Sequence, residues 1–259
     1  MKDERRSTAL ASVAGEALGS STASGLRVLL WDIDGTLLRS RRAGAFKDYT
    51  APAIEAVFGT AGRLAELSVS GMTDLQIVSE ALRDEGYTPA QVRERIDDLR
   101  TLYMREMVRV VEGLAEPFYL LPGVREVLEA VRDHPRYRSA LLTGNLEEAA
   151  RLKMRMVGLT DFFQLPGAFG DDSHDRRDLP ALAHVRLSRA LGFELEPKQM
   201  IVIGDTPNDI ACARHFGALS VAVATGRLYT PEDLLAHHPD ALLPDLSDTS
   251  LVLRTFDAL

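Results

Sequence analysis

Three apolar segments, far apart in the chain, each end in acids, hydroxyls or tight glycine turns, and this ordered set most limits the fold. In the first, Val28, Leu29, Leu30 and Trp31 lead directly into Asp32, Ile33, Asp34, Gly35 and Thr36. A continuous apolar run in residue types that suit a pleated sheet predicts a strand buried on both faces. In an open α/β sheet, ligands bind beyond the carboxyl ends of the strands, so acids at such an end stand at the mouth of a site. Gly35 permits a sharp turn there. Taken alone, Asp and Gly after a strand are ordinary turn chemistry. The second segment, residues 140–145, closes on Thr143, Gly144 and Asn145, and the third, residues 200–209, carries Gly204, Asp205, Thr206 and Asp209.

Strand-like and helix-like stretches alternate with short links around these segments, which predicts a parallel, doubly wound sheet. Further strands are expected over 137–143, 219–223 and, at an edge, 241–243. Helices are expected over 145–157, 180–191, 209–216 and 231–236. Residues 50–114 differ, reading as helices throughout. Over 74–85, Leu75, Ile77, Val78, Ala81 and Leu82 mark an apolar face that stops at Gly86. Thr88 and Pro89 form an N-cap followed by Pro at the first helical position. From there Val92, Ile96, Leu99, Tyr103, Met107, Val110 and Leu114 recur at intervals of three and four, one face of a single long amphipathic helix.

A chain of 259 residues has room for one large domain or two smaller ones. A net charge of −8 argues against nucleic acid and against an anionic membrane surface as partners. No apolar run reaches the roughly 18 residues of a membrane span. Cys212 is the only cysteine, so no internal disulfide is possible and a cytoplasmic setting is the default. Residues 1–25, rich in Ser, Ala and Gly and without the apolar core of a signal peptide, are expected to be a flexible tail. Glycine-rich dinucleotide and P-loop motifs are absent, and the six histidines show no zinc spacing.

The order DxDGT, then a hydroxyl residue with Gly-Asn, then a basic residue, then GDxxxD resembles the haloacid dehalogenase superfamily of phosphoryl-transfer enzymes. The match runs from Val28 to about Ala224 and is nearest in pattern to the phosphoglycolate-phosphatase-like branch. The resemblance implies a Rossmann-like α/β core over 26–40 and 118–259, with an all-helical cap inserted over 41–117. It implies Asp32 as nucleophile, Asp34 as the acid and base, and Thr143 and Gly144, with Asn145 beside them, as phosphoryl-binding residues. The same likeness implies Mg²⁺ held by an Asp32 carboxylate oxygen, the Asp34 carbonyl and Asp205, with Asp209 behind them.

Where that family has a lysine, no Lys lies between Lys153 and Lys198. Arg176 or Arg177 is the available replacement; neighbours in an extended loop point apart, so only one should face the site, and Arg176 is favoured. Thr73 and Asp74, in Ser70-Gly71-Met72-Thr73-Asp74, resemble the turn that such a cap points at its substrate. They also fit the simpler role of capping the next helix. Arg39, Arg41 and Arg42 either attract phosphate or form a solvated basic loop. The implied activity is Mg²⁺-dependent hydrolysis of a small phosphorylated metabolite. A phosphomutase on the same scaffold and a non-catalytic phosphometabolite-binding protein are the alternatives. A dehalogenase is disfavoured by the second acid, Asp34.

Overall fold

The structure is a computed structural model and describes residues 25–259. The expected tail therefore lies, apart from Gly25, outside the described residues.

Seven strands are found among the described residues: β1 Arg27–Trp31, β2 Leu38–Ser40, β3 Phe118–Leu120, β4 Tyr137–Leu141, β5 Met200–Gly204, β6 Leu219–Val223 and β7 Ala241–Leu243. Five of them form one sheet in the order β4-β1-β5-β6-β7, and every pair in it is parallel. Val28 to Trp31 are wholly buried, as are most side chains of β5, because helices cover both faces. Trp31 pairs with Leu141 on one side and Ile203 on the other. That register brings the ends of β1, β4 and β5 level, so the polar turns of all three segments emerge side by side.

The ten α-helices among the described residues are α1 Lys47–Phe58, α2 Asp74–Ala81, α3 Pro89–Glu94, α4 Ile96–Glu112, α5 Val124–Asp133, α6 Glu147–Met156, α7 Leu179–Leu191, α8 Pro207–Phe216, α9 Pro231–Ala236 and α10 Thr249–Ala258. The first four lie between β2 and β3, which pair antiparallel and form the two-stranded neck of the insert. Tyr49 of α1 meets Tyr103 of α4 edge-to-face at 5.2 Å between ring centroids. The fold is α/β with an inserted helical cap.

Three local expectations need correction. The single long helix is two, α3 and α4, broken at Arg95, whose φ of −104° and ψ of 15° leave the helical region. Thr88 does cap α3, in a reciprocal capping box with Gln91. The break keeps Val92, Leu99, Tyr103 and Met107 in phase on one buried face, so periodicity could not reveal it. Leu114 falls past the end of α4 and is 46% exposed. The helix expected over 74–85 ends at Ala81 and continues only as a 3₁₀ turn, Arg83–Glu85, before Gly86 at φ +85°. Helix α10 was not anticipated; it is capped by Asp248 and sets Phe256 edge-on against Trp31.

Candidate active site

Asp32 leaves the sheet at the end of β1, with its N–H donating to the carbonyl of Ile203. Its carboxylate is 6% exposed and accepts a 3.1 Å hydrogen bond from Arg176 Nη2. The same nitrogen donates to Asp209 Oδ1 at 2.5 Å. Burial pushes the Asp32 carboxyl up to about 6, although Arg176 pulls it down. Arg176 sits in a 3₁₀ turn, Arg176–Asp178, and is 5% exposed. Arg177 points outward and pairs with Asp175 at 2.6 Å. The asymmetry expected from the sequence is present, but a 3₁₀ turn produces it, not an extended loop.

Asp205 follows β5 directly and is 4% exposed. Its Oδ1 accepts from Thr36 Oγ1 at 3.0 Å. Burial, and then repulsion from Asp32 and Asp209, hold its carboxyl well above the ordinary range. A Cβ at Gly35, where φ is +96°, or at Gly226 would collide with this carboxylate. Asp209 stands in the first turn of α8 and closes a capping box with Thr206, its Oδ2 accepting from Thr206 N and Oγ1 at 3.0 and 2.6 Å. Both of its oxygens are thus engaged, one by the helix cap and one by Arg176.

Asp32, Asp205 and Asp209 offer carboxylate oxygens that all lie within 4.8 Å of one another. Three buried acids against one guanidinium leave negative charge uncompensated, and an all-oxygen donor set suits a hard divalent cation such as Mg²⁺. The residues present fit that group. Asp32 and Asp205 have capacity to hold it, whereas Asp209 is placed to anchor Arg176.

Asp34 is turned away from this cluster, toward the cavity. Its Oδ2 accepts from Lys153 Nζ at 2.6 Å and from Asn145 Nδ2 at 2.8 Å. Lys153 also donates to Asn145 Oδ1 at 2.6 Å and is only 4% exposed. Burial opposes its charge, but Asp34, Tyr49 and Asp74 together more than offset this and raise its pKa. Sequence reasoning missed Lys153. A signal existed: on α6 it is in phase with buried Ala149, Ala150 and Met154, where a lysine is out of place unless paired. Asn145 is not helical as expected, since α6 starts at Glu147, and its side chain is thereby free to join Asp34, Thr143 and Lys153.

The cap reaches this site through the turn before α2. Gly71 O accepts from Asn208 Nδ2 at 2.9 Å and from Arg176 Nη1 at 3.3 Å. Asp74 N donates to Gly144 O at 2.7 Å, and Asp74 Oδ2 accepts from Leu146 N at 2.8 Å. Thr73 caps α2, accepting from Gln76 N, and does not line the cavity, while Asp74 does. Thr143, Gly144 and Asn145 line it as well. Arg39, Arg41 and Arg42 are engaged elsewhere: Arg39 donates to Thr225 O, Arg41 pairs with Glu116 and Arg42 with Asp48.

A family model described as haloacid dehalogenase-like hydrolase matches residues 26–217. A phosphoglycolate phosphatase of Chromobacterium violaceum is 27% identical over 209 residues, covering 78% of this chain and 86% of its own. Among solved structures, a β-phosphoglucomutase of Clostridium difficile superposes with a TM-score of 0.64 at 14% identity, covering 90% of this chain and 98% of its own. A hydrolase of Pseudomonas syringae gives 0.57 at 20% identity, over 90% and 99%. With identities this low the two structures speak for the fold alone, but the family match spans well over half the chain. The chain belongs to the haloacid dehalogenase-like hydrolases.

Proposed function

We propose that this chain is a Mg²⁺-dependent phosphatase that hydrolyses a small phosphate monoester through an aspartyl-phosphate on Asp32. The observation that carries the proposal is the pairing of buried Asp32 with Arg176 inside the Asp205–Asp209 cluster, with Asp34 on the cavity side. An Asp32 oxygen attacks phosphorus and the bond to the leaving oxygen breaks. Asp34 supplies the proton that the leaving alkoxide needs and later accepts one from the attacking water, which restores both carboxylates. Arg176 and the Thr143–Gly144 turn face the phosphoryl oxygens, where fixed donors favour the transition state. When bound, Mg²⁺ would be held by Asp32, the Asp34 carbonyl and Asp205, and would neutralise phosphoryl charge.

The helical cap, residues 41–117, closes over the ester, and Asp74 borders the leaving group. The single buried cysteine suits a cytoplasmic enzyme. The relatives named phosphatases support hydrolysis over binding alone, and a phosphomutase would need a retained bisphosphate. Release of phosphate from p-nitrophenyl phosphate with Mg²⁺, abolished by EDTA, tests the proposal. Release that needs an added sugar bisphosphate would favour the mutase instead.

A further inference from the structure

The cavity above Asp32 and Asp34 has a volume of about 200 Å³, below the roughly 300 Å³ at which sites for drug-sized ligands begin. Its floor is charged and its wall is mostly apolar. Phe46 just ahead of α1, Tyr49 of α1, Ile77 of α2, Tyr103 of α4 and Phe118 of β3 form most of that wall. Burial pushes the Tyr49 hydroxyl up to about 12, so it stays neutral at ordinary pH.

The charged groups that line the cavity are three acids, Asp32, Asp34 and Asp74, and two cations, Lys153 and Arg176. Arg176 is held by Asp32 and Asp209, and Lys153 by Asp34 and Asn145. Among the described residues, no further Lys, Arg or His borders the space. The phosphoryl group takes the Asp32 end. A second anionic group on the leaving alcohol would then face Asp34, Asp74 and aromatic rings, and the one cation at that end, Lys153, is already engaged by Asp34 and Asn145. A charge buried without its own partner is strongly disfavoured.

We infer that the cavity selects a phosphate monoester whose leaving alcohol is compact, uncharged and largely apolar, and that it rejects alcohols bearing a carboxylate or a second phosphate. This inference rests on the phosphatase reading above and adds a substrate class to it. It separates the chain from an enzyme built for phosphoglycolate, whose leaving alcohol carries a carboxylate.

The test compares phosphoglycolate with its amide, which has the same heavy-atom shape and no charge on the leaving group. With the full chain and Mg²⁺, kcat/KM for the amide should exceed that for phosphoglycolate by about tenfold or more, the scale expected when one partner leaves a buried charge unpaired. Equal turnover, or a preference for phosphoglycolate, overturns the inference. Met72→Arg adds a cation to the wall at a half-buried position, and should move the ratio toward phosphoglycolate by roughly tenfold. An unmoved ratio in the folded variant overturns the charge argument, and if the variant does not fold, the ratio for the unaltered chain still decides. No phosphate from either ester or from p-nitrophenyl phosphate is a different failure. It overturns the phosphatase reading itself, and the inference with it.

Discussion

Lys153 Nζ lies 2.6 Å from Asp34 Oδ2, joining the helix after the second motif to the acid of the first across 119 residues of chain. The pair does more than neutralise charge. Together with Asn145 it holds the Asp34 carboxylate on the cavity side, where the proposed mechanism needs it. A general acid works only within hydrogen-bond reach of the atom it serves.

Removing that cation should therefore hurt turnover. Lys153→Met keeps the stem and deletes the charge, and it should lower kcat by about one to two orders of magnitude, at or below the lower end of what a positioned acid–base group contributes. A double-mutant cycle with Asp34→Asn should be far from additive, because both changes break one contact. Additive losses would show that Lys153 acts elsewhere.

Asp32→Asn preserves shape and removes the attacking charge. Turnover should drop to background while the fold survives. Retention of more than a few per cent of the original turnover, with contaminating activity ruled out, would take the nucleophile's role from Asp32.

Arg176 and Arg177 are neighbours with opposite fates. Arg176→Ala should cost about two to three orders of magnitude in kcat, the scale for losing one transition-state donor. Arg177→Ala, which loses only an exposed pair with Asp175, should be near neutral. Arg176→Lys serves as the control for folding, since it keeps a cation between Asp32 and Asp209 but not the planar fork. Small, equal effects from both alanine variants would place the phosphate cation elsewhere.

The cluster of acids also sets a pH dependence for the metal-free protein. Asp32 titrates near 6 in the folded chain against an ordinary 3.8, and Asp205 lies well above that value. The folded state therefore binds these protons more tightly than the unfolded one. Stability contributed here is present at low pH and falls as pH rises from about 4 toward 7. In chelator, Asp205→Asn should melt above the parent at pH 7.5, and the gap should close as pH falls. Adding Mg²⁺ at pH 7.5 should raise the melting temperature of the parent far more than that of the variant. A gap that ignores pH, or equal shifts with Mg²⁺, would remove Asp205 from the metal site.

Much of this was legible in the order of residues because the sheet is parallel and buried. Apolar runs such as Met200–Gly204 can do little else, and register then aligns their polar ends. Asp32 and Asp205 were found that way, whereas Arg176 came from the family resemblance, as the replacement for its lysine. Lys153 was not, because its function depends on where α6 crosses the mouth of the sheet, and helical phase alone marks it only as an oddity. Thr73 read equally well as a cap or a substrate contact, and its hydroxyl went to the cap because Gln76 N needed an acceptor. The break at Arg95 left no trace in periodicity, since both helices keep the same face inward.

The seam between cap and core is written partly in peptide groups. Gly71 O, Asp74 N and Leu75 N make contacts that are indifferent to the side chains they carry. Position 72, half-buried at the cavity wall, can therefore be exchanged without breaking these backbone contacts. Gly144 and Gly170 have no such freedom, because a Cβ at either would strike Met72 O or Gly144 O. A lineage built on this chain can change what it accepts through the cap's side chains while inheriting, unaltered, the two glycines on which the cap rests.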